Sequence, residues 1–189
     1  MMQKLWQKKL KLSYRKEVID IIQFGSSVMD GRENPNDVDI AVIFQKISLK
    51  EQLDEAQKIK KQLEKNSEIP VHINSFDMQS LFEPSNFARE GILFYGRSLI
   101  TKSYFSEYFN FIPKIQIIYS LNLLKKKDKV RFHYMLRGKA GKYGLLRRYS
   151  GKLISPGVIE VPPEYENIFI HSIKEITKDF EVKKVFHMK

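Results

Sequence analysis

The feature that most limits how this chain can fold is a Gly-Ser turn set between two apolar runs. Glu17 to Phe24 reads Glu-Val-Ile-Asp-Ile-Ile-Gln-Phe and ends at Gly25-Ser26-Ser27, the pattern of a buried strand running into a turn. Asp30-Gly31 and Asn34-Pro35-Asn36 mark a loop, and Asp37-Val-Asp-Ile-Ala-Val-Ile-Phe44 is a second strand with an acidic start. Asp37 and Asp39 stand at i and i+2, so on a strand both point to the same face. A lone Asp-x-Asp is most simply a turn residue and a strand-edge charge. Behind a strand and a Gly-Ser turn it becomes a candidate site.

The residue types suit phosphate and metal. Glycine lets the backbone approach a phosphate closely, serine adds a hydroxyl donor, and neighbouring N–H groups complete an anion-binding concavity. Two adjacent carboxylates suit Mg²⁺, which keeps several waters and takes further ligands from substrate phosphates. Gly25, Ser26 and Ser27 are therefore the candidate nucleotide contacts, and Asp37 and Asp39 the candidate ligands for Mg²⁺ carried by a nucleoside triphosphate.

Ser48, with Glu51 three residues on, forms a capping-box pattern ahead of Leu53, Ala56, Ile59 and Leu63, which predicts a helix over 48–65. A third strand follows at Ile69-Pro-Val-His72-Ile-Asn74-Ser-Phe-Asp77. The order strand, helix, strand is that of a β-α-β unit. Parity puts Val71, Ile73 and Ser75 on one face and His72, Asn74 and Phe76 on the other. With Val71 and Ile73 buried, His72 and Asn74 are the pair that could face the acidic site. Asp77 shares the apolar parity unless a bulge redirects it.

These segments together resemble the nucleotidyltransferase superfamily, which includes DNA polymerase β, poly(A) polymerases and the minimal nucleotidyltransferases. The shared pattern, hydrophobic-Gly-Ser, a loop, then Asp-x-Asp and a hydrophobic run, stands here as Phe24-Gly25-Ser26…Asp37-Val38-Asp39-Ile40. Glu90-Gly91-Ile92-Leu93-Phe94-Tyr95-Gly96 resembles the ending of the minimal nucleotidyltransferase domain. The resemblance covers about residues 15–100. It implies Mg²⁺-dependent transfer of a nucleoside monophosphate from a nucleoside triphosphate to an acceptor, with Asp37 and Asp39 as catalytic metal ligands. The chain departs from the family at one point: His72 falls where a third carboxylate is implied. A neutral imidazole can accept a proton but is a poor Mg²⁺ ligand, so His72 is a candidate catalytic base.

The chain has no cysteine, which excludes a disulfide scaffold, a zinc ribbon and thiol catalysis. Its start lacks a signal-peptide core, and no run approaches the roughly 18 apolar residues of a membrane span. A soluble cytoplasmic protein without membrane contact is expected. The net charge of +11 is sharply segregated. Residues 1–100 carry 15 basic and 14 acidic side chains, whereas residues 101–189 carry 18 and 8. Within 125–152, Lys125, Lys126, Lys127, Lys129, Arg131, Arg137, Lys139, Lys142, Arg147, Arg148 and Lys152 face Asp128 alone. Such segregation points to a polyanion, RNA or DNA. Phe132, Tyr134, Tyr143 and Tyr149 could stack on unpaired bases there. The competing reading makes Phe132, Met135, Leu136, Leu145 and Leu146 a core stripe under a solvated basic face.

The expected fold is α+β. A small mixed-sheet nucleotidyltransferase domain flanked by helices spans 1–104, and a basic, helix-rich domain with a short β element, winged-helix-like or small α/β, spans 105–189. Residues 1–14 are expected as an amphipathic helix through Leu5, Trp6, Leu10 and Leu12. Phe105 to Pro113 reads as an aromatic-rich join. Helices are expected from Pro113 to about Lys126, from about Asp128, and from Pro163 to about Lys178. A turn and strand at 153–161 and a strand at 182–186 complete the second domain. Two functions follow: nucleotidyl transfer to a nucleic-acid or protein acceptor, or a catalytically weakened member of that fold acting as a nucleic-acid-binding or regulatory module. A partner protein is compatible with either.

Overall fold

The computed structural model describes residues 4–31, 35–139 and 141–189. It divides into two compact units, one of residues 1–28 and 32–110, the other of 29–31 and 111–189. The break falls after Asn110 rather than after residue 104 because Phe105, 1% exposed, is sealed into the first core beside Ile22, Phe24 and Ile92.

In the first unit the elements are β1 (Val18–Phe24), β2 (Val38–Phe44), α1 (Leu49–Glu64), β3 (Val71–Asp77), α2 (Met78–Phe82), α3 (Arg89–Tyr95) and β4 (Arg97–Ser98). They build a mixed sheet in the order β3-β2-β1-β4. The β2–β3 pair is parallel, with α1 as the crossover, and the remaining pairs are antiparallel. Both sheet faces are apolar. Ile21, Val38, Ile40 and Val42 pack with Ile59 and Leu63 of α1 on one side, and Ile22, Phe24, Ala41 and Ile43 pack with Leu81, Ile92 and Phe105 on the other. Near-continuous burial explains why β1 and β2 read as apolar runs.

The capping box at α1 forms as expected, with Glu51 N–H donating to Ser48 Oγ and Ser48 N–H to Glu51 Oε2. The buried stripe of α1 is Gln52, Glu55, Ala56, Ile59 and Leu63, whereas Leu53 is half exposed. Glu55 is buried because it accepts the N–H of Arg15 and faces Lys58 at 3.5 Å.

The described part of the N-terminal segment is not a helix beyond a single 3₁₀ turn at Leu5–Gln7. Its backbone is held by side chains of the domain instead: Trp6 N–H donates to Gln23 Oε1, and Ser13 both donates to and accepts from Gln62. Leu5 is buried, with Trp6, Leu10 and Leu12 packed on the same core. Residues 1–3 of the expected helix lie outside the described residues.

In the second unit come β5 (Phe111–Tyr119), α4 (Lys126–Arg137), the short pair β6 (Gly138–Lys139) and β7 (Lys142–Tyr143), α5 (Leu145–Arg148), β8 (Lys152–Ser155), β9 (Val158–Val161), α6 (Glu166–Lys174) and β10 (Phe180–Met188). The helix expected from Pro113 is a strand. Ile115 and Ile117 alternate with Lys114 and Gln116, a period of two, and both isoleucines are fully buried. Pro113 is tolerated because pairing with β9 begins only at Ile115, leaving one side of the strand free.

The expectation of a helix-rich domain with one short β element is thereby corrected to a four-stranded antiparallel sheet, β10-β5-β9-β8. Its chain order, β-α-β-β-α-β, is the split β-α-β arrangement and not a winged helix. Ile115, Ile117, Ile159 and Val161 form the buried stripe, and Phe132 of α4 packs on Tyr119 at 4.7 Å between ring centres. The elements β6, β7 and α5 form an insertion between the first helix and the second strand of that arrangement.

Candidate metal and nucleotide site

Asp39 lies in the middle of three strands, opposite Phe24 of β1 and opposite His72 of β3. Asp37 is the residue just before β2. One ligand atom from each of Asp37, Asp39 and His72 lies within 4.8 Å of the others, a grouping able to hold a metal ion. His72 Nδ1 stands 3.3 Å from Asp37 Oδ2, and the two side chains are 60% and 32% exposed, so the cluster opens to solvent. Asp39 shares its sheet face with Ala41 and Ile43. The site therefore begins where that apolar stripe ends.

Burial pushes the Asp39 carboxyl above its ordinary range, and the charge of Asp37 pushes it the same way, while His72 acts against both. A cation among these groups would favour the ionised form. The donor set fits a divalent ion through its two carboxylates, with the imidazole as the softer member.

Gly25 opens a 3₁₀ turn, Gly25–Val28, at the end of β1. Its φ is +72°, and a Cβ there would come within 2.5 Å of Asp39 Oδ2. The glycine is required twice, by its left-handed backbone and by the carboxylate against it. Ser26 is half-buried. Ser27, expected among the nucleotide contacts, is fully buried, and its hydroxyl donates to Phe24 O and accepts from Gln23 Nε2. It fixes the turn from within and does not face a ligand.

Asn74 is exposed, opposite Ala41 and two positions further along β3 than His72. Asp77 is remote from the cluster. It pairs in register with Phe44 at the far end of β2 and caps α2 by accepting the N–H of Ser80, which holds its carboxyl below the ordinary range. A buried carboxyl that the motif pattern does not single out is Asp20, 7% exposed, which accepts the Ser98 hydroxyl at 2.7 Å. Its signal was available, since it is the one charged residue of β1.

In the second unit all of the basic residues of 125–152 are exposed except the half-buried Lys129. Among the described residues none of these eleven cations stands within 4 Å of a carboxylate. Of the four aromatics singled out, Phe132 is fully buried and so cannot stack on a base, because it fills the core over Tyr119. Tyr149 is half-buried against Tyr165 and Phe169. Tyr134 and Tyr143 remain exposed, at 44% and 53%.

Comparisons of this chain with protein-family models, with curated proteins and with solved structures find no match. Among the described residues no helix is long and apolar enough to cross a membrane.

Proposed function

We propose that this chain is a nucleotidyltransferase whose first unit transfers a nucleoside monophosphate from a nucleoside triphosphate to an acceptor hydroxyl. The observation that carries the reading is the convergence of Asp37, Asp39 and His72 on one spot beside Gly25, whose missing Cβ leaves the turn in contact with the Asp39 carboxylate. Gly25 and Ser26 cradle the triphosphate, and Asp37 and Asp39 hold Mg²⁺. The metal, when bound, neutralises phosphate charge and steadies the leaving pyrophosphate. The new bond joins the acceptor oxygen to the α-phosphorus as the bridging P–O bond to the β-phosphate breaks. His72, at the rung opposite Asp39, takes the acceptor's proton in this reading. The basic surface of 125–152 favours a polyanionic acceptor, RNA or DNA, over a protein.

A second reading has one observation in its favour: an imidazole stands where the resemblance implies a third carboxylate. In that reading the fold holds nucleotide but turns it over poorly, and the protein works as a nucleic-acid-binding or regulatory module.

One experiment separates the two. The chain is incubated with Mg²⁺, α-labelled nucleoside triphosphates and a panel of RNA, DNA and protein acceptors. Transfer that falls by roughly 10²–10⁴-fold in His72→Ala supports the enzyme and the base assignment. No transfer to any acceptor, with nucleic acid still bound, establishes the module.

A further inference from the structure

The insertion of β6, β7 and α5 has features that neither the sheet nor its helices require. Gly138 ends α4 at a φ of +94°, and a Cβ on it would meet Lys142 O at 2.0 Å. A Cβ on Gly144 would meet Gly138 N and Leu136 O, both at 2.4 Å. The two glycines thus pinch β6 and β7 hard against the end of α4. Between helix and pinched pair lies a cavity of about 340 Å³, lined by Tyr134, Lys139, Lys142, Tyr143 and Arg148 among others.

Each exposed ring in this cavity carries a cation over one face. Lys139 Nζ lies 4.9 Å from the Tyr134 ring centre, and the Arg147 guanidinium carbon lies 3.8 Å from that of Tyr143. The cation holds the ring in place and leaves the rest of it open. Cations without carboxylate partners, alternating with exposed rings around an open cavity, are the elements of single-strand recognition: phosphates on the cations, bases on the rings. A duplex hides its base faces and cannot use the tyrosines. An anionic membrane surface would use the charge but gives no role to exposed rings each pinned by a cation.

We infer that residues 134–139 and 141–148 form a clamp for single-stranded polynucleotide, in which Tyr134 and Tyr143 stack on unpaired bases while Lys139, Lys142 and Arg148 hold the flanking phosphates. The inference rests on the polyanion reading of 125–152 and is independent of transfer chemistry. It also departs from the usual use of a four-stranded split β-α-β sheet in RNA binding, where aromatic side chains on the sheet face stack the bases. Here the outward positions of the central strands are Ile112, Lys114, Gln116, Ile118, Val158 and Glu160, with no aromatic among them. The stacking function has moved to the insertion.

The test is fluorescence-anisotropy binding of the full chain to labelled oligo(U) and oligo(dT), to the same strands annealed to their complements, and to phosphatidylserine vesicles. It is run at several salt concentrations without triphosphate or divalent metal. Either single strand binds at least tenfold tighter than its duplex, and whichever of RNA and DNA binds tighter names the natural partner. Tyr134→Ala and Tyr143→Ala each weaken binding by roughly 5- to 100-fold, while the Tyr→Phe variants retain it. Circular dichroism of each variant keeps lost folding distinct from lost stacking. Equal affinity for duplex, full affinity in both folded Tyr→Ala variants, or binding to vesicles alone overturns the clamp. Because the assay involves no turnover, its failure leaves the transferase reading standing. Failed transfer with tyrosine-dependent strand binding leaves the clamp standing.

Discussion

The two units each build a four-stranded sheet, and they use its faces differently. In the first, both faces are sealed by apolar side chains, and the candidate chemistry sits where one stripe ends, at Asp39 beyond Ala41 and Ile43. In the second, one face is buried, and the basic residues gather on α4 and on an insertion outside the sheet. The first arrangement depends on a few atoms held by a rigid frame. The second depends on summed charge and two exposed rings. Single substitutions should therefore be decisive in the first unit and graded in the second.

Short of removing Asp37, Asp39 or His72, the largest effect belongs to Gly25→Ala. A side chain at φ +72° costs about 1–2 kcal/mol, and its Cβ displaces the Asp39 carboxylate. A misplacement on that scale lowers transfer by about 10²-fold, read as initial rate with labelled triphosphate. In the second unit, Lys142→Glu with Arg147→Glu lowers single-strand affinity by roughly twentyfold or more near 0.1 M salt. The salt slope shrinks by about 0.7 for each phosphate the protein no longer neutralises, checked by titrating salt.

A smaller effect tests the frame of the first unit. Burial raises the Asp20 carboxyl from 3.8 to about 6, against the hydrogen bonds from Ser98 and Ile21. The folded state keeps this proton in a range where the unfolded chain has released it. The neutral carboxyl's contribution is therefore complete below pH 4 and is lost as pH rises through 6. Asp20→Asn keeps an acceptor for Ser98 and has no charge to bury. It should gain up to about 3 kcal/mol over wild type at pH 7.5 and much less at pH 4.5. Urea unfolding followed by Trp6, the single tryptophan, reads this unit. The smallest effect is at Leu53, 50% exposed, where Leu53→Gln stays within about 0.5 kcal/mol, against about 2–5 for Ile59→Ala.

What was legible in the sequence follows the same division. The strand, Gly-Ser turn and Asp-x-Asp are local patterns, as is the Ser48/Glu51 cap, and each is present in the fold. Strand parity points both His72 and Asn74 at the site and the resemblance singles out His72, which stands beside Asp37 in the fold. The N-terminal segment is not a helix because its backbone partners are Gln23 and Gln62, side chains far away in sequence. The segment expected as a helix from Pro113 is a strand because Ile115 and Ile117, alternating with Lys114 and Gln116, carry a period of two into the core. Ser27 was indistinguishable from Ser26 by residue type. Only the turn geometry buries one and leaves the other half-exposed.

The most direct measurement is nucleotidyl transfer with Mg²⁺ by three proteins: wild type, Asp37→Ala/Asp39→Ala, and Lys142→Glu/Arg147→Glu. Wild type transfers label. The aspartate variant loses transfer by about 10³-fold or more while binding oligo(U) or oligo(dT) as wild type does, and the charge-reversal variant binds the strand roughly twentyfold or more weakly while its triphosphate affinity is unchanged. Equal transfer by wild type and the aspartate variant would contradict the account.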